Sequence, residues 1–151
     1  MKIRPITPAD SAEAVTLIRS TLEGSDQEHY PTATLEYLIE FFRSDETLQH
    51  VGERYCLVAA QEGRLVGAVA LDGMEIVTFI VHPQYTGQGI GQSLLEAIEG
   101  EARILHLDRL LLSTGPAMVE FFHKRGYRKS GRLISARGVQ IGLEKLLTSS
   151  S

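Results

Sequence analysis

The chain has 151 residues, 43% of them hydrophobic and 23% charged, with a formal net charge of −4 at pH 7. This composition indicates one globular domain that is long enough to bury a sizeable core. The acidic balance argues against a nucleic-acid-binding surface over the whole molecule, and the lack of an apolar run near ~18 residues argues against a membrane-spanning helix.

The first fifty residues predict a short strand and two helices. Residues 2–6 have a β-like pattern, and Thr7-Pro8-Ala9-Asp10 offers an N-cap with an acidic side chain reaching back. Apolar residues then recur at helical spacing up to Gly24 and again after Pro31. This half is rich in acidic residues, which can attract a cationic substrate or can simply form a solvated helix surface.

Residues 55–81 predict an antiparallel meander of three strands. The β-rich runs 55–60, 65–71 and 75–81 are separated by Glu62-Gly63 and Asp72-Gly73, which are typical of hairpin turns. Cys56, in the first run, is expected to be a buried core thiol and has no second cysteine to pair with. Together with the lack of an N-terminal leader, this predicts a soluble, reducing, cytoplasmic setting.

Three alternating glycines follow the third strand, in Thr86-Gly87-Gln88-Gly89-Ile90-Gly91, and lead into an amphipathic helix. Glycine lets a ligand approach the backbone, and N–H groups at a helix start favour negative charge. A phosphate-bearing ligand is therefore predicted. The dinucleotide and P-loop fingerprints both fail, because Gln92 stands where a third spaced glycine belongs and no Gly-Lys-Ser/Thr follows.

The remainder predicts one continuous domain over residues 1–147, with a frayed tail at 148–151. The helix after the glycines is expected to run to about Arg103, followed by a strand at 110–113. A short helix then carries Phe121 and Phe122 inward and ends at Gly126, and weak strands are expected near 133–134 and 139–143. The histidines have no metal-ligand spacing, so no metal site is proposed.

The order of these elements and two motifs resemble the GCN5-related N-acetyltransferase (GNAT) superfamily. The first motif is the glycine loop, where the family has Gln/Arg-x-x-Gly-x-Gly/Ala. The second is an aromatic pair followed by charged residues and Gly-aromatic, here Phe121-Phe122-His123-Lys124-Arg125-Gly126-Tyr127. The resemblance implies an α/β (α+β) fold. Its mixed, mostly antiparallel sheet has six to seven strands, about four flanking helices and a splay between strands 4 and 5.

The resemblance further implies an enzyme that transfers an acetyl group from acetyl-CoA to a primary amine of a small molecule or protein. Transfer is direct, within a ternary complex, and family members are often homodimers. The pantetheine arm of CoA would pair with the edge of the fourth strand, and the N–H of Phe79 or Ile80 would polarise the thioester carbonyl. The adenosine 3′-phosphate would lie near Lys124 or Arg125, and the alternative is that these residues form a solvated basic face. The expected cofactor-binding residues are Phe79, Ile80, Val81, Thr86, Gly87, Gln88, Gly89, Ile90, Gly91, Gln92, Phe122 and Lys124.

Glu75 is the first candidate for the base that deprotonates the amine, because it matches the position of the base in histone-type members. Strand alternation predicts that Glu75 shares an apolar face with Phe79 and Val81. The alternative is a solvated carboxylate at a strand end.

Two departures from the family pattern are Thr86 in place of Gln or Arg, and Phe122 in place of the tyrosine that often protonates the departing thiolate. His123, Tyr127 and Tyr85 are weaker candidates for that acid, which can also be a water or be absent. His123 is expected on the solvated side of its helix, and Tyr127, an aromatic after the glycine, is expected to fill the core. The departures motivate two rival functions, a non-catalytic acyl-CoA-binding module and a protein-interaction module of toxin–antitoxin type.

Overall fold

A computed structural model of the chain describes residues 1–24, 55–135 and 138–147. Its strands are β1 (Lys2–Pro5), β2 (Tyr55–Gln61), β3 (Arg64–Asp72), β4 (Glu75–Val81), β5 (Arg109–Thr114), β6 (Arg128–Ser135) and β7 (Gly138–Leu146). Its helices are α1 (Ser11–Gly24), α2 (Ile90–Ile104) and α3 (Val119–His123). These strands form one mixed, mostly antiparallel sheet in the order β1-β2-β3-β4-β5-β7-β6, which confirms the expected fold class. The predicted helix after Pro31 and the C-terminal tail lie outside the described residues.

A carboxylate organises the entry into α1. Asp10 accepts hydrogen bonds from the Thr7 N–H at 2.7 Å and from both Arg4 Nη atoms at 2.8 and 2.9 Å. The Arg4 guanidinium, opposed by partial desolvation and helped by the bonds from Thr7, lowers the pKa of Asp10 to about 2. The predicted capping arrangement is therefore confirmed, and a short 3₁₀ turn, Pro8–Asp10, precedes the helix.

The meander follows the predicted turn chemistry. Glu62 and Gly63 both have positive φ, 54° and 77°, as a two-residue hairpin turn requires, and Gly73 has φ 62°. The last two strands are longer than the sequence predicts. The first half of β6 is polar and exposed, so its apolar periodicity is weak, and its pairing with β7 defines it.

One face of the sheet carries the main core, where α2 packs across β3. The core residues include Val69, Leu71, Ile76, Leu94 and Ile98, all nearly inaccessible to solvent. A Cβ placed on Gly67 would lie 2.8 Å from Leu94 Cδ1, so glycine at that position lets α2 approach the strand closely. No helix among the described residues is long and apolar enough to cross a bilayer.

Strand β4 carries a bulge and then separates from β5. Ala70 pairs with Thr78 but Leu71 pairs with Ile76, which leaves Val77 as an extra residue in β4. The parallel pairing of β4 with β5 is limited to Glu75–Leu111, with the Leu111 N–H donating to the Met74 carbonyl at 2.9 Å. Beyond that contact, β5 continues along β7. The splay expected between strands 4 and 5 is therefore present, and it opens one edge of β4.

Candidate functional site

The backbone of Phe79 and Val81 faces the gap between β4 and β5. The His82 N–H donates to the Val66 carbonyl at 2.8 Å, which fixes the antiparallel ladder between β3 and β4. In such a ladder alternate residues bond the same neighbour, so Ile80 also bonds β3 while Phe79 and Val81 turn the other way. The Ile80 carbonyl oxygen would indeed lie 3.1 Å from a Cβ on Gly67 of β3. The register therefore favours Phe79 over Ile80 as the oxyanion donor.

The glycine loop ends at an open helix start. Gly87 and Gly89 adopt φ 81° and 82°, a left-handed conformation that an ordinary side chain disfavours. The Ser93 N–H bonds the Gly89 carbonyl at 3.0 Å, so the preceding N–H groups at the start of α2 have no intrahelical acceptor. The Ile90 side chain is 2% exposed and lies in the core, so it offers only backbone to a ligand. This geometry suits an anion such as a phosphate.

Side chains hold the loop in shape before the helix begins. His82 Nδ1 accepts from the Gln84 N–H at 3.1 Å, and the His82 ring lies edge-on to Tyr85. Burial and, to a smaller extent, the charge of Arg64 lower the pKa of His82. The hydroxyl of Thr86 donates to the Pro83 carbonyl at 3.1 Å. Thr86 thus supports the turn, while Gln88 is exposed.

An aromatic cluster joins the open edge of β4 to α3. The Phe79 ring centroid lies 5.7 Å from that of Phe121 and 5.4 Å from that of Phe122. Phe122 also packs edge-on against Tyr127 and is only 3% exposed. A Cβ on Gly91 would lie 3.3 Å from Phe79 Cζ, so the first turn of α2 packs directly on this cluster. Phe122, at the position of the expected tyrosine, is a core residue here.

The predicted apolar setting of Glu75 is wrong. Ile76, Phe79 and Val81 belong to the α2-facing core, and Glu75 is paired with Asp72 on the opposite face of the hairpin end. The bulge at Val77 reverses the alternation between Glu75 and Phe79, so the two side chains point to different faces. Glu75 is solvent-exposed at the start of β4.

Two candidate proton donors differ in availability. Tyr127 is fully buried, and its hydroxyl donates to Glu99 Oε2 at 2.8 Å. Burial and the adjacent Glu99 charge raise the pKa of Tyr127, which removes it as an acid near neutral pH. His123 is exposed at the end of α3. Cys56, as expected, is a core residue, and burial together with the charge of Asp10 raises the pKa of its thiol to about 12.

Two side-chain contacts near the site are not among the sequence predictions, although Arg125 and Tyr127 belong to the second motif. Lys145 on β7 lies 3.1 Å from Glu99 Oε1 and completes a buried network with Tyr127. Arg125 lies with its guanidinium carbon 3.8 Å from the Phe121 ring centroid, whereas Lys124 is exposed. Neither arrangement has a periodicity or spacing that reveals it in the sequence. Among the described residues, no group of three or more His, Cys, Asp and Glu is arranged to hold a metal ion.

Comparison with known proteins matches residues 24–142 to the family described as acetyltransferase (GNAT) domain. The amino-acid acetyltransferase of Pseudomonas putida strain GB-1 is 34% identical over 103 residues, which are 63% of this chain and 23% of that protein. The IAA acetyltransferase of Azospirillum brasilense is 38% identical over 84 residues, 50% of this chain and 55% of that protein. The matches thus span less than two thirds of either relative. The PaiA N-acetyltransferase of Thermoplasma acidophilum, solved in complex with coenzyme A, shares the fold. Its TM-score is 0.78 at 18% identity, covering 96% of this chain and 98% of that chain.

Proposed function

Because this chain belongs to the GNAT acetyltransferase family, we propose that it transfers an acetyl group from acetyl-CoA to a primary amine within a ternary complex. The observation that carries the proposal is the open edge of β4 leading into an anion-binding helix start. The backbone of Phe79 and Val81 faces the gap, and the glycine loop follows within a few residues. A fold relative solved in complex with coenzyme A supports the choice of ligand.

Backbone groups make most of the proposed hydrogen bonds to acetyl-CoA. The loop from Gly87 through Gln92 would hold the pyrophosphate with its N–H groups, aided by the positive end of the α2 dipole. The pantetheine amides would add to the open edge of β4 at Phe79 and Val81, as a peptide adds to an exposed strand. The thioester carbonyl would then accept a hydrogen bond from the Phe79 N–H, which stabilises the oxyanion as the amine attacks.

Proton transfer is the second part of the proposed mechanism. The attacking amine must lose a proton, and we propose that Glu75, exposed at the end of β4 that still pairs with β5, takes it through water. When the C–S bond breaks, CoA leaves as a thiolate. A thiol with a pKa of roughly 8.5 is a fair leaving group without a dedicated acid. This fits a site where Phe122 has no hydroxyl and Tyr127 is committed to Glu99.

The charge of the chain and the names of its relatives bear on the acceptor class. The two relatives carry different acceptor names, and neither match extends over two thirds of the relative's length. The acidic bias of the first fifty residues favours a cationic acceptor, and an amine is protonated near neutral pH. We therefore propose a primary amine, with an amino acid as the first candidate to test.

An acetylation screen tests this function against its nearest rival, a non-catalytic CoA-binding module. The protein is incubated with acetyl-CoA and a panel of amino acids, polyamines, amino sugars and peptide N-termini, and released thiol is measured. Turnover above the rate of spontaneous hydrolysis with at least one amine is expected. Saturable acetyl-CoA binding without turnover across the panel would favour the non-catalytic module, for which the substitutions at Thr86 and Phe122 are the motivation.

A further inference from the structure

Arg125 is a fixed cation that forms no ion pair in the part of the chain that the structure describes. Its guanidinium lies 3.8 Å from the Phe121 ring centroid, and Nη1 donates to the Phe121 carbonyl at 2.7 Å. Within the described residues none of the ion pairs involves Arg125, and its Nε is buried with no hydrogen-bond partner. Fixing a long side chain costs conformational entropy, and an unpaired buried donor costs more. Such a position is stabilised if an anion binds beside it.

The free end of this guanidinium points to the first turn of α2. Arg125 Nη2 lies 3.4 Å from Gln92 Oε1, a distance at the weak end of hydrogen bonding, so this contact can exchange for a better acceptor. Gln92 is anchored from its other side, because its Nε2 donates to Glu96 Oε1 at 3.1 Å. Gly91 and Phe121 are in close approach, which brings α3 against the helix start. Arg125 therefore stands beside the N–H groups proposed to hold the pyrophosphate.

The loop itself lacks a side-chain cation. Thr86 occupies the position where the family usually has Gln or Arg, and its hydroxyl is already bonded to the Pro83 carbonyl. Lys124 is adjacent to Arg125 in sequence, but it is exposed. Arg125 is thus the cation that the described structure fixes next to the loop.

We infer that Arg125 binds the pyrophosphate of acetyl-CoA from α3, replacing the long side chain that is missing at Thr86. A guanidinium can give two parallel hydrogen bonds to phosphate oxygens, which a single ammonium cannot, and stacking on Phe121 keeps its plane fixed. This inference rests on the proposed function, since it names a residue for the same ligand. It differs from the expected role of Lys124 or Arg125 at the 3′-phosphate.

Calorimetric titrations of wild type, Arg125→Gln and the control variant Arg128→Gln with three ligands test the assignment. The ligands are CoA, 3′-dephospho-CoA and pantetheine. Arg125→Gln is expected to raise Kd about 10- to 100-fold for both nucleotide ligands, because a charge-assisted hydrogen bond is lost, and to leave pantetheine binding unchanged. Arg128→Gln removes the same charge from an exposed residue on β6, outside the proposed site, and is expected to change Kd less than threefold, within the range of a screened surface charge.

Each contrary result has a distinct meaning. A loss with CoA but not with 3′-dephospho-CoA assigns Arg125 to the 3′-phosphate and overturns the inference. An equal loss with pantetheine shows that Arg125 acts by holding Phe121, and unchanged binding of all three ligands shows that it takes no part. Either of these two results also overturns the inference about Arg125. If the wild type itself binds no CoA, the proposed function fails first. Arg125→Lys keeps the charge but cannot give the two parallel hydrogen bonds of a guanidinium, so it separates charge from geometry. Thermal unfolding of every variant identifies a misfolded protein.

Discussion

Replacing Lys145 by Met is expected to destabilise the fold, because the buried Glu99 carboxylate loses its ion-pair partner. The Glu99 side chain is 7% exposed, and Lys145 Nζ lies 3.1 and 3.2 Å from its two oxygens. Tyr127 then remains as a neutral partner. Removing one partner of a buried ion pair costs about 3–5 kcal/mol. Because the Lys145 side chain is itself 23% exposed and Met keeps the aliphatic stem, we expect the lower end, about 3 kcal/mol.

Urea unfolding at neutral pH measures this cost in a double-mutant cycle. Lys145→Met combined with Glu99→Gln is expected to be less destabilised than the sum of the single variants by at least about 1 kcal/mol, because the double variant buries no unpaired charge. Arg109→Met is the control, since Arg109 is 47% exposed and 3.7 Å from Glu144, and it is expected to cost about 0–1 kcal/mol. Additive single effects, or a Lys145→Met cost equal to that of the control, would refute a buried ionic network.

Three further predictions concern Asp10, a pair of glycines and Glu75. The Asp10 pKa of about 2 means that its pairing with Arg4 stabilises the fold fully above the unfolded value near 3.8 and less as pH falls through about 2. The difference in the free energy of unfolding between wild type and Asp10→Asn should therefore shrink from at most about 2 kcal/mol at pH 5 to less than about 0.5 kcal/mol at pH 2, where the folded carboxyl is half protonated, as measured by urea unfolding. A stability difference that stays constant from pH 5 to pH 2 would contradict this role of Asp10. Gly67→Ala places a Cβ 2.8 Å from Leu94 Cδ1 and is expected to cost about 1–3 kcal/mol. Gly100→Ala has open space within α2 and is expected to stabilise the fold by about 0.5–1 kcal/mol. If both glycine substitutions changed the free energy of unfolding in the same direction, the close packing of α2 on β3 would be contradicted. Glu75→Gln should lower kcat/KM most at low pH, where the amine is protonated, without changing CoA affinity, and an unchanged pH–rate profile would remove Glu75 from the mechanism.

Local chemistry determines the parts of the fold that the sequence predicts well. The Glu62-Gly63 turn and the positive-φ glycines of the loop need particular residues at particular positions, so they are visible without a structure. The aromatic at Tyr127 after Gly126 likewise fits its predicted place in the core. Such features depend on the backbone of a few neighbouring residues.

The errors concern pairings between distant segments. The setting of Glu75 was predicted from unbroken alternation, but its register depends on how β4 pairs with β3, and the bulge at Val77 changes it. The sequence names Arg125 only as an alternative to Lys124, because its partners, Phe121 and Gln92, belong to the packing of α3 on α2.

Calorimetric titration with acetyl-CoA tests whether the chain binds this co-substrate at the proposed site. The open backbone of β4 and the helix start of α2 predict saturable binding at one site per chain, and a Gly89→Leu substitution should weaken it, because φ 82° is strained for any side chain with a Cβ. Absence of saturation up to about 1 mM acetyl-CoA, a limit equivalent to roughly −4 kcal/mol, would contradict the account.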